Sequence, residues 1–402
     1  MSFVKICKPV PTGIIWASEM GHYFFGDYHP MHPSRLDATA ALAQELGVFD
    51  LPQVTVEKPW VATDEQLRLA HEQSYIDQVK AVSVDPTRLI EECGLGTEDT
   101  PGYAGIHEAS ARLAGGSLLA AEMILTEKVV HAVNFGGGMH HASRTKASGF
   151  CIYNDCAVAI QRLLDGGVKR VAYIDVDAHH GDGTQSIFWD DPRVMTISLH
   201  ETGMKLFPGT GFANETGPAG VAEGTSVNVA MPEHASDSDW LRAFDAVVPP
   251  LLRAFEPEVI VSQHGCDSHF SDLMTHLGLS IECQRELVGH VSVLAQELCE
   301  GRWLATGGGG YSVYDAVPRS WAHLMAVAAG SPIPVETAVP ESWRSYIKEK
   351  FGAETPEVMG DYADIWWSSW EVGFNPADET DRSVMATRKE VFPLWGLDPW
   401  CD

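Results

Sequence analysis

From residue 129 onwards the hydrophobic positions fall into short unbroken runs. They are Val129-Val-His-Ala-Val-Asn-Phe135, Arg170-Val-Ala-Tyr-Ile-Asp175, Val194-Met-Thr-Ile-Ser-Leu199, Val227-Asn-Val-Ala-Met231, Glu258-Val-Ile-Val-Ser262 and Arg302-Trp-Leu-Ala-Thr306. Runs this short and this rich in Val and Ile read as strands. The windows 155–165, 238–255 and 280–299 between them read as helices. Strand alternating with helix predicts an α/β fold, a parallel sheet covered by helices on both faces. Before residue 129 the chain is poor in strands and rich in local punctuation. Ser34 opens a helix that runs to Leu46 and is ended by Gly47, and residues 64–82 read as a second. An Ala-rich third helix spans 104–126, with Gly115 and Gly116 placed for close packing. His29-Pro-Met-His-Pro33 is a turn, because a residue before proline is pushed out of the helical region. Gly94–Gly102 is an acidic Gly/Pro loop of the ordinary surface kind.

Composition narrows the class. The chain has 402 residues, with 27 Lys+Arg against 55 Asp+Glu and a net charge of −28, which argues against a nucleic-acid partner and suits a basic substrate or solubility. Eight cysteines include no Cys-x-x-Cys pair, so reduced thiols in a cytoplasm are expected. The apolar Ile14-Ile-Trp16 is too short for a signal peptide or a membrane span. Length alone allows two domains, but α/β folds of this size are often one. Residues 1–335 are taken as a single domain. The remainder, 336–402, carries Trp343, Trp366, Trp367, Trp370, Trp395 and Trp400, too many aromatics for a free linker. Docking on the domain is the first reading of this tail and a homo-oligomer contact the second.

The chemistry stands at the strand ends. Tyr173–Gly183 packs Asp175, Asp177, Asp182, His179 and His180 into one short stretch. In extended backbone, Asp175, Asp177 and His179 point one way and His180 the other. Buried charge of that density must be paired or hold a metal. His140 and His141 follow the first run, His200 and Glu201 the third, Gln263-His-Gly-Cys-Asp267 the fifth and Gly307-Gly-Gly-Gly-Tyr311 the sixth. Open α/β sheets bind ligands beyond the carboxyl ends of their strands, so these segments are expected to converge on one crevice. A hydrolytic zinc site needs about three protein ligands and an open position for water. Asp177, His179 and Asp267 can supply the three. His140 and His141 offer a general base and a second imidazole, and Asp175 and Asp182 the carboxylates that orient them. Tyr311 can donate to a developing oxyanion. Cys266 reads as a small apolar filler beside Asp267.

Six segments in this order resemble the histone deacetylase superfamily, and within it the bacterial acetoin-utilisation deacetylases. They are Gly137-Gly-Met-His-His-Ala142, Ser148-Gly-Phe-Cys-Ile-Tyr-Asn-Asp155, Asp175-Val-Asp-Ala-His-His-Gly-Asp-Gly183, Phe207-Pro-Gly-Thr-Gly211, Gln263–Asp267 and Gly307–Tyr311. The resemblance covers most of 20–330 and implies the arginase/deacetylase fold, one domain around a central eight-stranded parallel sheet. It implies Asp177, His179 and Asp267 as ligands of Zn2+, with Fe2+ the alternative ion. His140 and His141 would be the catalytic pair held by Asp175 and Asp182, and Tyr311 the group that polarises the substrate carbonyl. Gly149, Phe150 and Phe207 would line a narrow tunnel for an acyl-lysine stem. Asp99, with Glu98 beside it, falls where the family has a rim acid. Met274 falls near where polyamine-selective relatives carry a glutamate, and an apolar residue there favours acyl-lysine. Ser198 and Leu199, with the backbones of Asp175, Asp177 and His179, resemble a K+ or Na+ site, and Phe188, Asp191 and Val194 a second one. The expected activity is removal of acetyl groups from lysine side chains of proteins, acyl-CoA synthetases among the implied partners. Two other readings stand beside it: an arginase-like two-metal hydrolase on the same fold, and an acyl-lysine or acetoin-pathway binding protein without turnover.

Overall fold

The computed structural model describes residues 8–402. Its strands are β1 (Thr12–Ile15), β2 (Val54–Glu57), β3 (His131–Asn134), β4 (Val171–Asp175), β5 (Val194–Glu201), β6 (Ser226–Met231), β7 (Val259–Gln263) and β8 (Trp303–Thr306). They form one eight-stranded sheet in the order β2-β1-β3-β8-β7-β4-β5-β6, parallel at each pairing. The helices are α1 (Ser34–Glu45), α2 (Asp64–Leu67), α3 (Gln73–Val84), α4 (Ile106–Leu125), α5 (Asp155–Asp165), α6 (Asp182–Ile187), α7 (Asp237–Phe255), α8 (Ile281–Leu298), α9 (Ala316–Ala328), α10 (Glu341–Phe351) and α11 (Glu379–Val391). None is long and apolar enough to cross a membrane.

The alternation of aliphatic runs and helices therefore does produce the parallel α/β sheet. Two corrections concern the N-terminal part. It contains β1 and β2, which the hydrophobic pattern does not place. β1 follows Pro9 and Pro11 and contains Gly13, which read as loop, and β2 lies at the sheet edge with its middle exposed, so neither shows the unbroken aliphatic run of a buried strand. The helix expected over 64–82 is two helices. Thr63 caps α2 with Gln66 in a reciprocal box, and the chain then turns through Arg68–Glu72 before α3.

Register sets up the site. Asn134 pairs with Thr306, Thr306 with Gln263, Gln263 with Asp175 and Asp175 with Ser198. The carboxyl ends of β3, β8, β7, β4 and β5 thus lie level across the sheet, and the segments that leave them emerge side by side. Helix α4 packs on β3 closely enough that a Cβ on Gly116 would come within 2.8 Å of the Asn134 side-chain amide.

Residues beyond 335 pack on this body. Trp343, Ile347 and Met359 join Ala38, Leu42 and Ala322 in one apolar cluster. Trp370, Val384, Met385, Val391 and Phe392 belong to the main core. Arg242 of α7 pairs with Asp381 at 2.6 Å and lies 4.8 Å over the Trp370 ring. Trp366 and Trp400 remain exposed. Seven cysteines are free thiols, and Cys7 lies outside the described residues.

Candidate metal centre and active site

The sheet ends at Asp175, and beyond it the chain leaves extended geometry. Strict alternation therefore fails at once, and Asp175 does not join its two successors. One of its oxygens accepts from the Tyr173 hydroxyl at 2.7 Å and faces His140 Nδ1 at 2.8 Å, while the other accepts from the Asp177 amide at 3.2 Å. Asp177 and His179 instead meet Asp267, which arrives from the segment after β7. His179 Nδ1 lies 2.8 Å from Asp267 Oδ2 and 3.3 Å from Asp177 Oδ1. The His180 ring turns the other way, to Thr210 Oγ1 at 2.8 Å and Gln185 Oε1 at 3.1 Å.

One ligand atom from each of Asp177, His179 and Asp267 lies within 4.8 Å of the others, and all three residues are buried. Two carboxylates this close and out of water repel each other. Burial works against ionisation at Asp177, but His140, His179 and Gln263 outweigh it and hold its carboxyl well below the usual range. Burial and the charge on Asp177 push Asp267 up. Burial opposes the proton on His179, yet hydrogen bonds to both aspartates hold that proton to about 10. A divalent cation removes the conflict by taking the place of these protons. Two hard oxygens and one imidazole suit zinc with an open position. The glycine run explains how the cluster stays tight: a Cβ on Gly309 would fall 2.3 Å from Asp267 Oδ2 and 2.9 Å from Asp177 Oδ2. A second group, Glu201, Glu233 and His276, also converges, but there the His276 ring and amide already take both Glu201 oxygens.

His140 and His141 stand beside the cluster with rings 4.0 Å apart. His141 Nδ1 lies 2.6 Å from Asp182 Oδ1, so each imidazole has its own carboxylate and presents Nε2 away from it. Their environments split them. Burial pushes His140 down, but Asp175 and Asp177 prevail and hold it at about 9. Burial and the neighbouring His140 cation take His141 down to about 4 against Asp182. The two imidazoles are thus driven apart, His140 toward its cation and His141 toward its neutral form.

The loop that delivers them is clamped from below. Asp155, fully buried at the start of α5, accepts from the Gly138 amide at 3.0 Å, the Met139 amide at 2.7 Å and Ser117 Oγ at 2.5 Å. Asn154 donates to the carbonyls of His140 and Ala142.

Tyr311 completes the ring of groups. Burial, with the charges of Asp267 and Asp177, pushes its phenol well up, so it remains a donor. Its backbone amide donates to Asp272 Oδ2 at 2.7 Å. Arg35 reaches the carbonyls of Gly308 and Gly310 at 2.8 and 3.3 Å with its guanidinium over Trp321. The Tyr311 ring lies 5.8 Å from Phe150, Phe150 lies 4.5 Å from His29, and Phe207 lies 5.0 Å from His141 and 6.4 Å from His179. Two phenylalanine rings thus stand near the cluster, Phe207 against His141 and Phe150 against Tyr311. Beside Phe150, Asp99 accepts from the Gly149 amide at 2.8 Å, while Glu98 is exposed. Met274 is 36 % exposed on the loop of Asp272.

The residues suggested for monovalent cations are dispersed in role. Ser198 Oγ faces His200 Nδ1 at 2.8 Å and Leu199 is buried beside it in β5. The carbonyls of Phe188 and Asp191 accept from the amides of Asp191 and Val194 in a turn after α6. Gln263, Asp272, Arg35, His29, Asn154 and Asp155 have no assigned role in the sequence reading. Gln263 and Asp155 lie inside quoted motifs and were open to it. Asp272 and Arg35 carry no local signal, since their partners are remote in the chain.

A family model described as the histone deacetylase domain matches residues 29–328. The chain is 40 % identical over 354 residues to the acetoin utilization protein AcuC of Bacillus subtilis (strain 168), covering 88 % of this chain and 90 % of that one. It is 37 % identical over 334 residues to the AcuC protein of Staphylococcus xylosus (83 % and 86 % covered). To that of Staphylococcus aureus (strain MSSA476) it is 35 % identical over 361 residues (88 % and 92 % covered).

Proposed function

The chain belongs to the histone deacetylase family, and from that footing we propose that it is a zinc-dependent hydrolase that removes acetyl groups from lysine side chains of proteins. The observation that carries this reading is that the buried Asp177, His179 and Asp267 stand beside the His140–His141 pair, each imidazole on its own carboxylate, with the Phe207 ring against His141 and the Phe150 ring against Tyr311. Zn2+ is the proposed ion and Fe2+ the alternative that the same donors accept. Held by Asp177, His179 and Asp267, the ion would supply Lewis acidity to the amide carbonyl and the attacking water.

The protein groups do the rest. His141, neutral at pH 7, is the base that takes a proton as water attacks the carbonyl carbon. His140, already cationic, steadies the negative charge that builds and stands ready to protonate the departing amine. The C–N bond breaks to leave acetate and lysine. Tyr311 donates to the carbonyl oxygen as it gains charge, where such a donor counts most. Phe150 and Phe207 embrace the methylene stem, and Asp99 receives a backbone N–H at the rim. The charge of −28 suits lysine-rich protein surfaces. Acetylated acyl-CoA synthetases in a cytoplasm are the proposed targets, and K+ or Na+ at Ser198 and Leu199 a proposed structural ion.

The test is acetate release from an acetyl-lysine peptide by metal-loaded protein. Tyr311→Phe keeps the ring against Phe150 and removes one donor, so kcat should fall about 10²–10³-fold with little change in KM. Full activity in that variant, or none in the wild type, would overturn the proposal.

A further inference from the structure

The tail lies beyond the residues that the family model matches, yet one of its side chains is wired to the loop of Tyr311. Asp361 Oδ2 lies 2.8 Å from His269 Nε2 and accepts from the Ile281 amide at 2.8 Å, and its Oδ1 meets Arg319 Nη1 at 2.8 Å. Its own amide donates to Glu282 at 2.9 Å, and Arg319 also holds the Gly360 carbonyl at 2.7 Å. Arg319 and His269 are buried. The segment is therefore fixed from four sides before it touches anything near the site.

His269 passes that order on. The Ser271 amide donates to His269 Nδ1 at 3.1 Å, which leaves Nδ1 without a proton and gives Nε2 the proton it donates to Asp361. Ser271 Oγ lies 2.9 Å from the same Nδ1 and 2.8 Å from Ser312 Oγ. Ser312 follows Tyr311, and both of their amides donate to Asp272, next to Ser271. One hydrogen-bonded line thus runs Asp361–His269–Ser271–Ser312 and ends at the residue that follows Tyr311.

Resting on the deacetylase reading of Tyr311, we propose that Asp361 is a positioning residue. It fixes the tautomer and orientation of His269, and through it the 269–274 loop that holds the Tyr311 backbone. Tyr311 must meet the carbonyl oxygen within a few tenths of an ångström, so a loosened loop costs turnover more than it costs substrate binding. The C-terminal segment then serves the catalytic centre as well as the core.

The test uses full-length, metal-loaded protein. Asp361→Asn keeps the size and loses the charge, presenting an NH2 to neighbours that are themselves donors. Hydrogen exchange should quicken at the amides of 269–274, Tyr311 and Ser312 while bound metal stays constant. On an acetyl-lysine peptide kcat should fall on the order of tenfold with KM little changed. If Asp361 acts through His269, adding His269→Ala to Asp361→Asn should cost little more than His269→Ala alone. Should Asp361→Asn fold poorly, Ser271→Ala cuts the same line with a milder change and should quicken exchange at Tyr311 and Ser312. Unchanged exchange at those amides overturns the proposal whatever the substrate proves to be, as do losses that multiply in the double variant. A wild type that releases no acetate would instead sink the deacetylase reading and leave the exchange result to decide this one.

Discussion

Gln263 Nε2 donates to Asp177 Oδ2 at 2.7 Å across the ends of β7 and β4, and the same oxygen accepts from the Gly309 amide at 2.8 Å. A proposed metal ligand is thus oriented by two neighbours that share its sheet edge. Gln263→Leu keeps the buried volume and removes one of them. Groups that orient a ligand commonly account for about 10–100-fold in metal affinity or activity, so zinc should bind more weakly by that factor. Competition against a chromophoric chelator measures it, and an unchanged dissociation constant would mean that Gly309 alone suffices.

The pH profile should follow the split between the two imidazoles. His140 is held up to about 9, chiefly by Asp175 and Asp177 against burial, so its cation persists through neutral pH and is lost as pH rises past 9. His141 is held down, so its base form survives well below 6.5. A profile of kcat with a basic limb near 9 is expected. Asp175→Asn removes the first of the charges that raise His140, and the basic limb should move to lower pH by about one to three units. A limb that stays in place would show that His140 need not be charged for turnover.

Much of this chamber is legible in the sequence because it breaks the rules of a core. Asp175, Asp177, His179, His140 and Asp267 stand where aliphatic runs end, and nothing in packing asks for charge there. The six strands from 129 onwards are visible for the converse reason, since buried parallel strands are unbroken Val/Ile runs. What stays hidden is defined by a distant partner. Arg35 meets Gly308 273 residues later, and Asp361 meets His269 across 92 residues. No local pattern marks either. The hydrogen bond that ties Asp99 to the Gly149 amide crosses 50 residues and is equally invisible in the sequence. β1 and β2 are hidden by composition: β1 follows Pro9 and Pro11 and contains Gly13, and β2 leaves its middle exposed.

Metal uptake should release protons. Without an ion, the two aspartates keep a proton on His179 up to about 10. A cation must displace it to use that imidazole. Titration of apo protein with zinc at pH 7, run in buffers of different ionisation enthalpy, should register release of roughly one proton per ion or more, and apparent affinity should climb with pH. No buffer dependence would mean that His179 does not ligate.

The tail offers a contrast that separates stability from catalysis. Trp343 of α10 is 1 % exposed, donates from Nε1 to the Ala38 carbonyl at 2.9 Å, and packs on Leu42, Ala322 and Met359. Truncating a buried Trp costs about 3–5 kcal/mol, through lost burial and the cavity left behind. The Ala38 carbonyl is one turn from Arg35 on α1, but the hydrogen bonds that fix Tyr311 come from Asp272 and the glycine loop rather than from Trp343. Trp343→Ala should therefore lower the denaturant midpoint strongly and leave kcat of the folded protein within about twofold at temperatures well below melting. Asp361→Asn should lower kcat of the folded protein on the order of tenfold, over and above the stability it loses beside the buried Arg319. If Trp343→Ala cuts kcat as deeply as Asp361→Asn, the tail supports the chamber only as a whole, and no single carboxylate in it has a separate task.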